Sequence, residues 1–485
     1  MEMESREGPS HRDEELEAQR RENAALRAEN ERLKVLIEEL EKKLQEALRA
    51  SKRQAAPFSK SAPKEHPEKP GRKPGAAYGE HAHRMPPEEV DEIIRVDLPP
   101  RCQGCGGTRI KRLAQTAQQF QEEMPRKPIR RRFDIEVGEC QDCGSRVQGR
   151  HAWQTSDATG AAAAQLGPEA QAMVASLKDE IGVSHGKICK VMDRAFDMHL
   201  TPGGVAQIVL RVAQRIQAAY QGIQIVVRRS RQVEGDETSW KVAGKLQWLW
   251  TFVCRTATLF LVRPSRGFDV IEEVLGAAYR GIVGHDGWSP YDKLKQALHE
   301  QCWGHIGRRC EELIESAGGP QLGRARLPMR VLEIFHDALA LRDRRDRRDI
   351  SRHGLAVAVG RLHGRMYDLV MAPKSWGYAE NRKLARHLGI HFDQLFTFLE
   401  HPGVEPTAWK VDQASRFAIV NRKVFGGNRY ESGARAMERI CSVGATCVKR
   451  AVDFFTYLAR VLCAPQAKRD KLACRLLELP APNPV

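Results

Sequence analysis

The 485-residue sequence predicts a multidomain α+β protein: a string of small modules leading into an α/β core. Three observations predict it. A heptad-periodic stretch free of Gly and Pro lies near the N-terminus. Two Cys-x-x-Cys pairs follow, Cys102/Cys105 and Cys140/Cys143. Between residues 224 and 291, β-prone runs alternate with a single helical run, and two of those runs carry an aspartate at or near their ends.

Composition narrows the function classes. The formal net charge is +16, and a basic chain of this size suits a polyanionic partner, nucleic acid first. Ordinary solubility charge is the bland alternative. No apolar run reaches the roughly 18 residues a transmembrane helix needs, and the charged start MEMESREGPSHRDEELE has no signal-peptide pattern. The expectation is a cytoplasmic protein without membrane contact. Twelve cysteines are too few for a disulfide framework in this length, so close pairs suggest metal and single ones suggest core.

Residues 13–50 read as a leucine zipper. Leu26, Leu33 and Leu40 fall at d, followed by Ala47; Leu16, Asn23, Asn30, Ile37 and Leu44 fall at a. Leu at d with Asn at a is the pattern of a parallel dimer, in which buried Asn fixes register at some cost in stability. Glu22 would face Arg27 of the partner helix, and Glu29 would face Lys34. A single solvated helix is the competing reading. Residues 51–85, rich in Pro, Lys and Gly, read as an extended basic linker, either a plain tether or a phosphate contact.

Residues 86–155 form the expected metal module. Each Cys-x-x-Cys turn places two thiolates on one ion, and the glycines that follow permit the tight turn. Cys102, Cys105, Cys140 and Cys143 together supply the four sulfurs of a tetrahedral structural Zn²⁺ site. Strand-like FDIEV between the pairs suggests a zinc ribbon with an inserted hairpin. The neighbouring run PRKPIRRRF is a candidate DNA-backbone contact. Cys189, Cys254 and Cys463 stand singly in apolar surroundings and read as core.

Residues 161–220 are helix-periodic, with breaks at Ile181–Ser184 and Leu200–Gly203. Gly182 ends one helix, Ser184 caps the next, and Thr201 with Pro202 starts a third. Three short helices suit a helix-turn-helix-like bundle that either binds DNA or acts as a spacer.

The core is expected over 224–420. After Gln224, IQIVV reads as strand-like. VEGDETSW then places Asp236 on a strand, and KVAGKLQWLWTFV reads as a hairpin turning at Gly244. FDVIEEVLGAAY reads as a helix, and GIVGHDGWSPY as a short strand ending in Asp286. The order β-β-β-α-β, with aspartates on the first strand and on the strand after the helix, suits a ribonuclease-H-like α/β core. In such a core, carboxylates hold two hard divalent ions, Mg²⁺ or Mn²⁺, for phosphodiester chemistry. QCWGHIGRRCEEL is helical and brings His305, Arg308 and Arg309 near one face, toward the site or a DNA backbone. A helical insert is expected over about 321–400. Its run LRDRRDRRDISRHG is either a solvated face or a phosphate clamp. In RKVFGGNRYES, Arg422, Lys423 and Arg429 surround Gly426-Gly427, as phosphate contacts or as a surface loop. AVDFFTYLARVL reads as a closing helix within a C-terminal module, 421–465, and 466–485 reads as a tail.

The stretches DETSW…WLW, HDGWSPY, CWGHIGRR, LFTFLEHPGVEPT and RKVFGGNRYESGARAMERICSVGATC, in this order, resemble the IS66 family of bacterial insertion-sequence transposases. The resemblance runs from the zipper to about residue 462. It implies DDE chemistry: metal-dependent cleavage of the element's ends and strand transfer into target DNA, with Asp236 and Asp286 as the first two ligands. It also implies terminal repeats and target DNA as partners, small companion proteins of the element, and a place at the bacterial nucleoid. The third carboxylate departs from the family's pattern. After VEPT the family has an asparagine pair, then a catalytic Glu-Arg; here Ala408 and Trp409 replace the pair, Asp412 falls on the glutamate and Gln413 on the arginine. Three outcomes are open: activity with Asp412, activity with Glu405 or Glu400 in its place, or a catalytically impaired DNA-binding relative that acts as a regulator.

Overall fold

A computed structural model describes residues 87–481, except 102, 113–116, 122–126, 152, 155–157, 159–164, 321–322 and 372–375. Of the first 86 residues it describes 25–26, 29–33 and 36–37, which are helical. The linker 51–85, most of the zipper and Cys102 therefore lie outside the described residues. Leu26, Leu33 and Ile37 are exposed, as a coiled-coil seam is in a single chain and as a solvated helix is anywhere.

The chain divides into two compact units, residues 1–121 and 122–485. In the first, the turn through Cys105 ends at Gly106 with a φ of +73°. The second opens with a short antiparallel hairpin, β1 (Val137–Glu139) and β2 (Arg146–Gln148). That hairpin encloses Cys140 and Cys143, whereas the FDIEV pattern placed a hairpin between the two cysteine pairs. Most of FDIEV precedes the strand; the tight Cys140–Gly144 turn sets where pairing begins, with the Gly144 amide bonded to the Cys140 carbonyl (2.8 Å). Among the described arginines of PRKPIRRRF, Arg130 pairs with Asp197 (2.8 Å), Arg131 stacks on Trp153 (4.6 Å), and Arg132 pairs with Asp134 (3.0 Å).

Four helices follow: α1 (Pro168–Ala175, extended by a π-turn to Glu180), α2 (His185–Phe196), α3 (Pro202–Arg215) and α4 (Gln217–Arg229). The breaks fall as expected, and Thr201 Oγ1 caps α3 by accepting from the Gly204 amide (3.1 Å). IQIVV, however, is helical. Ala219, Ile223 and Val227 recur at four-residue spacing and are fully or nearly fully buried, so packing overrides the β preference of the run. The apolar faces of α1–α4 are spent on the common core, as a packing role requires.

The sheet contains β3 (Gln232–Val242), β4 (Lys245–Val253), β5 (Thr258–Arg263), β6 (Ile282–His285) and β7 (Leu298–Gln301), with α5 (Phe268–Leu275) before β6. Its order is β5-β4-β3-β6-β7. Strand β4 runs antiparallel to both β3 and β5, and β6 and β7 run parallel to β3. Ala243 and Gly244, both with positive φ, make the two-residue turn between β3 and β4. On one face, Trp250, Phe252, Leu259 and Leu261 pack with α4 and α5.

Helices α6 (Trp303–Ser316), α7 (Arg326–Asp346), α8 (Arg352–Met371) and α9 (Ala379–Ile390) enclose a separate core around Trp303, Leu362, Leu384 and Phe398. Within the arginine run, Arg342, Arg345 and Arg347 pair with neighbouring aspartates, and Arg345 also donates to the Leu399 carbonyl (3.0 Å). After the short α10 (Thr397–Glu400) come α11 (Trp409–Phe425) and α12 (Glu431–Lys449), which cover the other face of the sheet against Trp240, Leu249, Phe260 and Val262. Helix α12 also closes the β5 edge. Glu438, Ser442 and Thr446 accept from the amides of Val262 (2.6 Å), Phe260 (2.9 Å) and Thr258 (3.2 Å).

The predicted closing helix is α13 (Phe454–Cys463). The predicted tail is a helix as well, α14 (Gln466–Leu476), with Ala473, Cys474, Leu477 and Leu479 in the main core. Its apolar residues are sparse along a strongly charged stretch, which hid the periodicity. Among the described residues, no helix is long and apolar enough to cross a membrane.

Candidate active site

Strand β3 presents Asp236 on the face that α11 covers. Across the ladder Asp236 pairs with Thr251, and the Thr251 hydroxyl is bonded to Ser415 Oγ (3.0 Å). Ser415 is a buried residue of α11, one turn beyond Asp412. This tie brings the Asp412 face of α11 over Asp236. Asp286 is the first residue past β6. The parallel register pairs Glu234 with Gly284, and two further steps set Asp286 abreast of Asp236. The Asp286 carboxylate accepts from the Trp288 amide (2.9 Å), which fixes it at the strand end.

Three elements thus bring Asp286 and Asp412 into the neighbourhood of Asp236. Their proximity shows in the electrostatics: the Asp236 carboxyl is pushed up to about 7, first by burial, then by the charges of Asp286 and Asp412. Glu405, the first substitute for Asp412, instead makes an ion pair with Lys410 (3.4 Å). Glu400 ends the short α10 and is exposed. Among the described residues, no three His, Cys, Asp or Glu side chains are drawn together tightly enough to hold a metal ion as they stand. The donor set of Asp236, Asp286 and Asp412 is nonetheless all hard oxygen, which fits Mg²⁺ or Mn²⁺, and a divalent ion would offset the mutual repulsion of the three carboxylates, which adds to burial in raising Asp236.

A second layer of this site was not legible in the sequence. Glu237, next to Asp236 but on the opposite face of β3, is buried and paired with Arg266 (2.8 Å). The Arg266 guanidinium lies against the rings of Trp248 (4.7 Å) and Trp288 (3.9 Å). The Trp288 indole in turn donates to the Arg266 carbonyl (3.1 Å). One chain of contacts therefore runs from the strand bearing Asp236 to the loop that holds Asp286. Burial first, then Asp236 and Asp286, raises Glu237 to about 8. Behind the site, His285 lies 3.0 Å from His299 and is buried, which pushes its imidazole well below the usual range. A DET motif signals an aspartate in a strand; nothing in it signals that the adjacent glutamate is the buried one.

The predicted basic residues separate. On α6, Arg308 is exposed, and His305 Nδ1 is buried with no hydrogen-bond partner among the described residues. Arg309 is half-buried and is one of the charges that depress His387 to about 4, after burial and His391. Arg422 turns inward, donating to Thr238 Oγ1 (3.1 Å) and Ser239 Oγ (2.9 Å), so it ties α11 to β3. Lys423 and Arg429 are exposed. In the cysteine module, Cys143 Sγ lies 3.3 Å from Ser145 Oγ, and that hydrogen bond lowers the thiol.

A mixed α+β core with a five-stranded sheet and converging carboxylates is of the class found in transposase catalytic cores. The chain belongs to the IS66 transposase family: the family model described as "Transposase IS66 family" matches residues 163–436. Membership implies a transposase role and action on DNA, and the DDE family generally uses divalent metals. No curated protein matches the chain.

Proposed function

We propose that the chain is a DDE-type transposase that cleaves the ends of its insertion sequence and transfers them into target DNA, with Asp236, Asp286 and Asp412 as the ligands of Mg²⁺ or Mn²⁺. The observation that carries this reading is the convergence of Asp412 with the two strand-borne aspartates through the Ser415–Thr251 tie. The strand order, three antiparallel strands followed by two parallel ones, supports a ribonuclease-H-like core. Bound divalent ions would activate the attacking water or 3′-hydroxyl and stabilise the leaving oxygen. The chain's own part is to fix three oxygens in place. The Ser415–Thr251 bond sets the α11 face, and the Trp288 amide orients Asp286. The stack of Arg266 on Trp288 holds the loop. Aspartate at 412 is one methylene short of the family's glutamate, and α11 lies directly on β4, which favours a ligand that needs less reach. Structural Zn²⁺ on Cys102, Cys105, Cys140 and Cys143, and a zipper dimer, complete the proposal.

The second reading, a DNA-binding regulator that no longer cuts, draws on the same rewritten stretch, Ala408 to Gln413. A nicking assay on duplexes carrying the element's ends, in Mg²⁺ or Mn²⁺, separates the two. Cleavage by the wild type, lost in Asp236→Ala and Asp286→Ala with melting temperature kept, is expected. Asp412→Ala should also abolish it, and Asp412→Glu should keep it. Full activity in either strand-aspartate variant would sink the assignment. Binding without cleavage by the wild type would favour the regulator.

A further inference from the structure

A cleft of about 400 Å³ opens between the β3–β4 turn and the loop joining α11 to α12. Lys241, Phe425, Asn428, Arg429 and Tyr430 line it together with glycines, and no carboxylate does. Its frame is stiff. The Asn428 amide donates to the Lys241 carbonyl (2.9 Å), the Ala243 amide to the Asn428 carbonyl (2.9 Å), and the Trp240 indole to Asn428 Oδ1 (2.8 Å). Gly427 makes this approach feasible: its φ is +117°, and a Cβ there would collide with the Lys241 carbonyl. Lys241, Arg429 and Tyr430 remain exposed. Lys178 adds a further charge, with its ammonium 3.6 Å from the centre of the Phe425 ring. The patch is electropositive enough to act on a neighbour, since Lys178 and Arg429, after burial, depress His185.

The cleft and the acidic centre share two elements. Asp236 and Lys241 lie on β3; five residues of strand span about 17 Å. Asp412 and Phe425 lie at opposite ends of α11; thirteen residues of helix span about 20 Å. Between them α11 exposes one stripe, with Trp409, Asp412, Gln413, Arg416 and Lys423 recurring at helical spacing. A DNA strand rises about 3.4 Å per nucleotide along the helix axis and also winds around it, so the interval corresponds to only a few nucleotides.

We propose that this cleft holds a backbone phosphate of the DNA strand whose phosphodiester lies at the acidic centre, a few nucleotides from the cut, with Lys241 and Arg429 as its ligands. The inference deepens the transposase reading and rests on it. The ligand is the phosphate itself, since the cleft offers two cations and no carboxylate. Tyr430 lines one side of the cleft.

Two measurements on the full-length protein test it. The first is the salt dependence of binding to a generic duplex. Neutralising both cations, K241Q/R429Q, should lower the slope of log K against log salt by about one, the share of the single phosphate they hold. An unchanged slope overturns the proposal. Both side chains are on the surface, and a melting curve checks the fold; the single Arg429→Gln, with an expected loss of part of that slope, answers if the pair does not fold. The second measurement places single neutral methylphosphonates along the element-end duplex. Wild-type binding should weaken about tenfold at one position, a few nucleotides from the cut, and K241Q/R429Q should lose that sensitivity. Sensitivity elsewhere, or sensitivity retained in the variant, overturns it. Asp236→Ala separates the two failures. It should lose nicking while keeping the wild-type slope, so an intact slope difference without nicking indicts only the catalytic assignment, and nicking without a slope difference indicts only the cleft.

Discussion

Asp179 lies in the π-turn after α1, buried and without a hydrogen bond to Oδ2 among the described residues. Burial raises its carboxyl to about 6, against the weaker opposing pull of Lys178. A carboxyl whose folded value lies above its unfolded one binds its proton more tightly in the native state. Its stabilising contribution is complete below about pH 4 and is lost as pH rises through about 6. The wild type should therefore lose about 1–3 kcal/mol relative to Asp179→Asn between pH 4 and 7, with the two stability curves converging in acid. Denaturant titrations across that range measure it; parallel curves would refute it. The same chemistry explains what a reader of the sequence finds and misses. Asp236 and Asp286 stand out because each carboxylate interrupts a β-prone run. Glu237 and Arg266 do not, because their roles depend on which face of β3 each side chain takes and on two tryptophans brought in from β4 and from the loop after β6.

At the scale of elements, the contact of α12 with β5 matches two periods. Amides two residues apart on a strand are about 6.8 Å apart, and helix residues four apart are about 6 Å apart. Glu438, Ser442 and Thr446 therefore meet Val262, Phe260 and Thr258 in turn, and a sheet edge that would otherwise offer free amides is closed by side chains. Ser442→Ala leaves the Phe260 amide buried without a partner, so it should cost about 1–3 kcal/mol in denaturant stability. It should also speed amide exchange at Phe260 before the other β5 amides; uniform protection would show that the contact is incidental. The hairpin at Ala243-Gly244 and the breaks at Gly182 and Thr201 were legible because local chemistry dictates them. IQIVV was not, since a short apolar run of β-branched residues carries no period, and the burial of Ile223 and Val227 decides its state. The helix of α14 was not either, because a few buried residues in a charged stretch fix it through contacts with helices far away in the chain.

For the whole molecule, the sequence proposes an order of modules from local signatures: heptads, paired cysteines, helical breaks and β-prone runs with aspartates. The cysteine module carries the last prediction. Both Cys-x-x-Cys turns end in a glycine with positive φ, Gly106 at +73° and Gly144 at +68°. That backbone conformation, which glycine adopts without strain, permits the tight turn after each pair. The second turn is already shaped, with the Cys140 amide bonded to the Ser145 carbonyl (2.9 Å) and the Cys143 thiol lowered by Ser145, which favours the thiolate a metal needs. By contrast, Cys254, Cys302, Cys310 and Cys447 are buried, and burial raises the thiols of Cys302, Cys310 and Cys447. Metal analysis of the purified chain should give about one zinc, the content of a single four-thiolate site. Cys105→Ser or Cys143→Ser should remove it, while Cys254→Ser and Cys463→Ser should leave it in place. Zinc retained after loss of Cys143, or lost with Cys254, would place the metal elsewhere. Because a thiolate site binds zinc in competition with protons, its occupancy should also fall as pH is lowered in buffered-zinc titrations, in step with protonation of the cysteines.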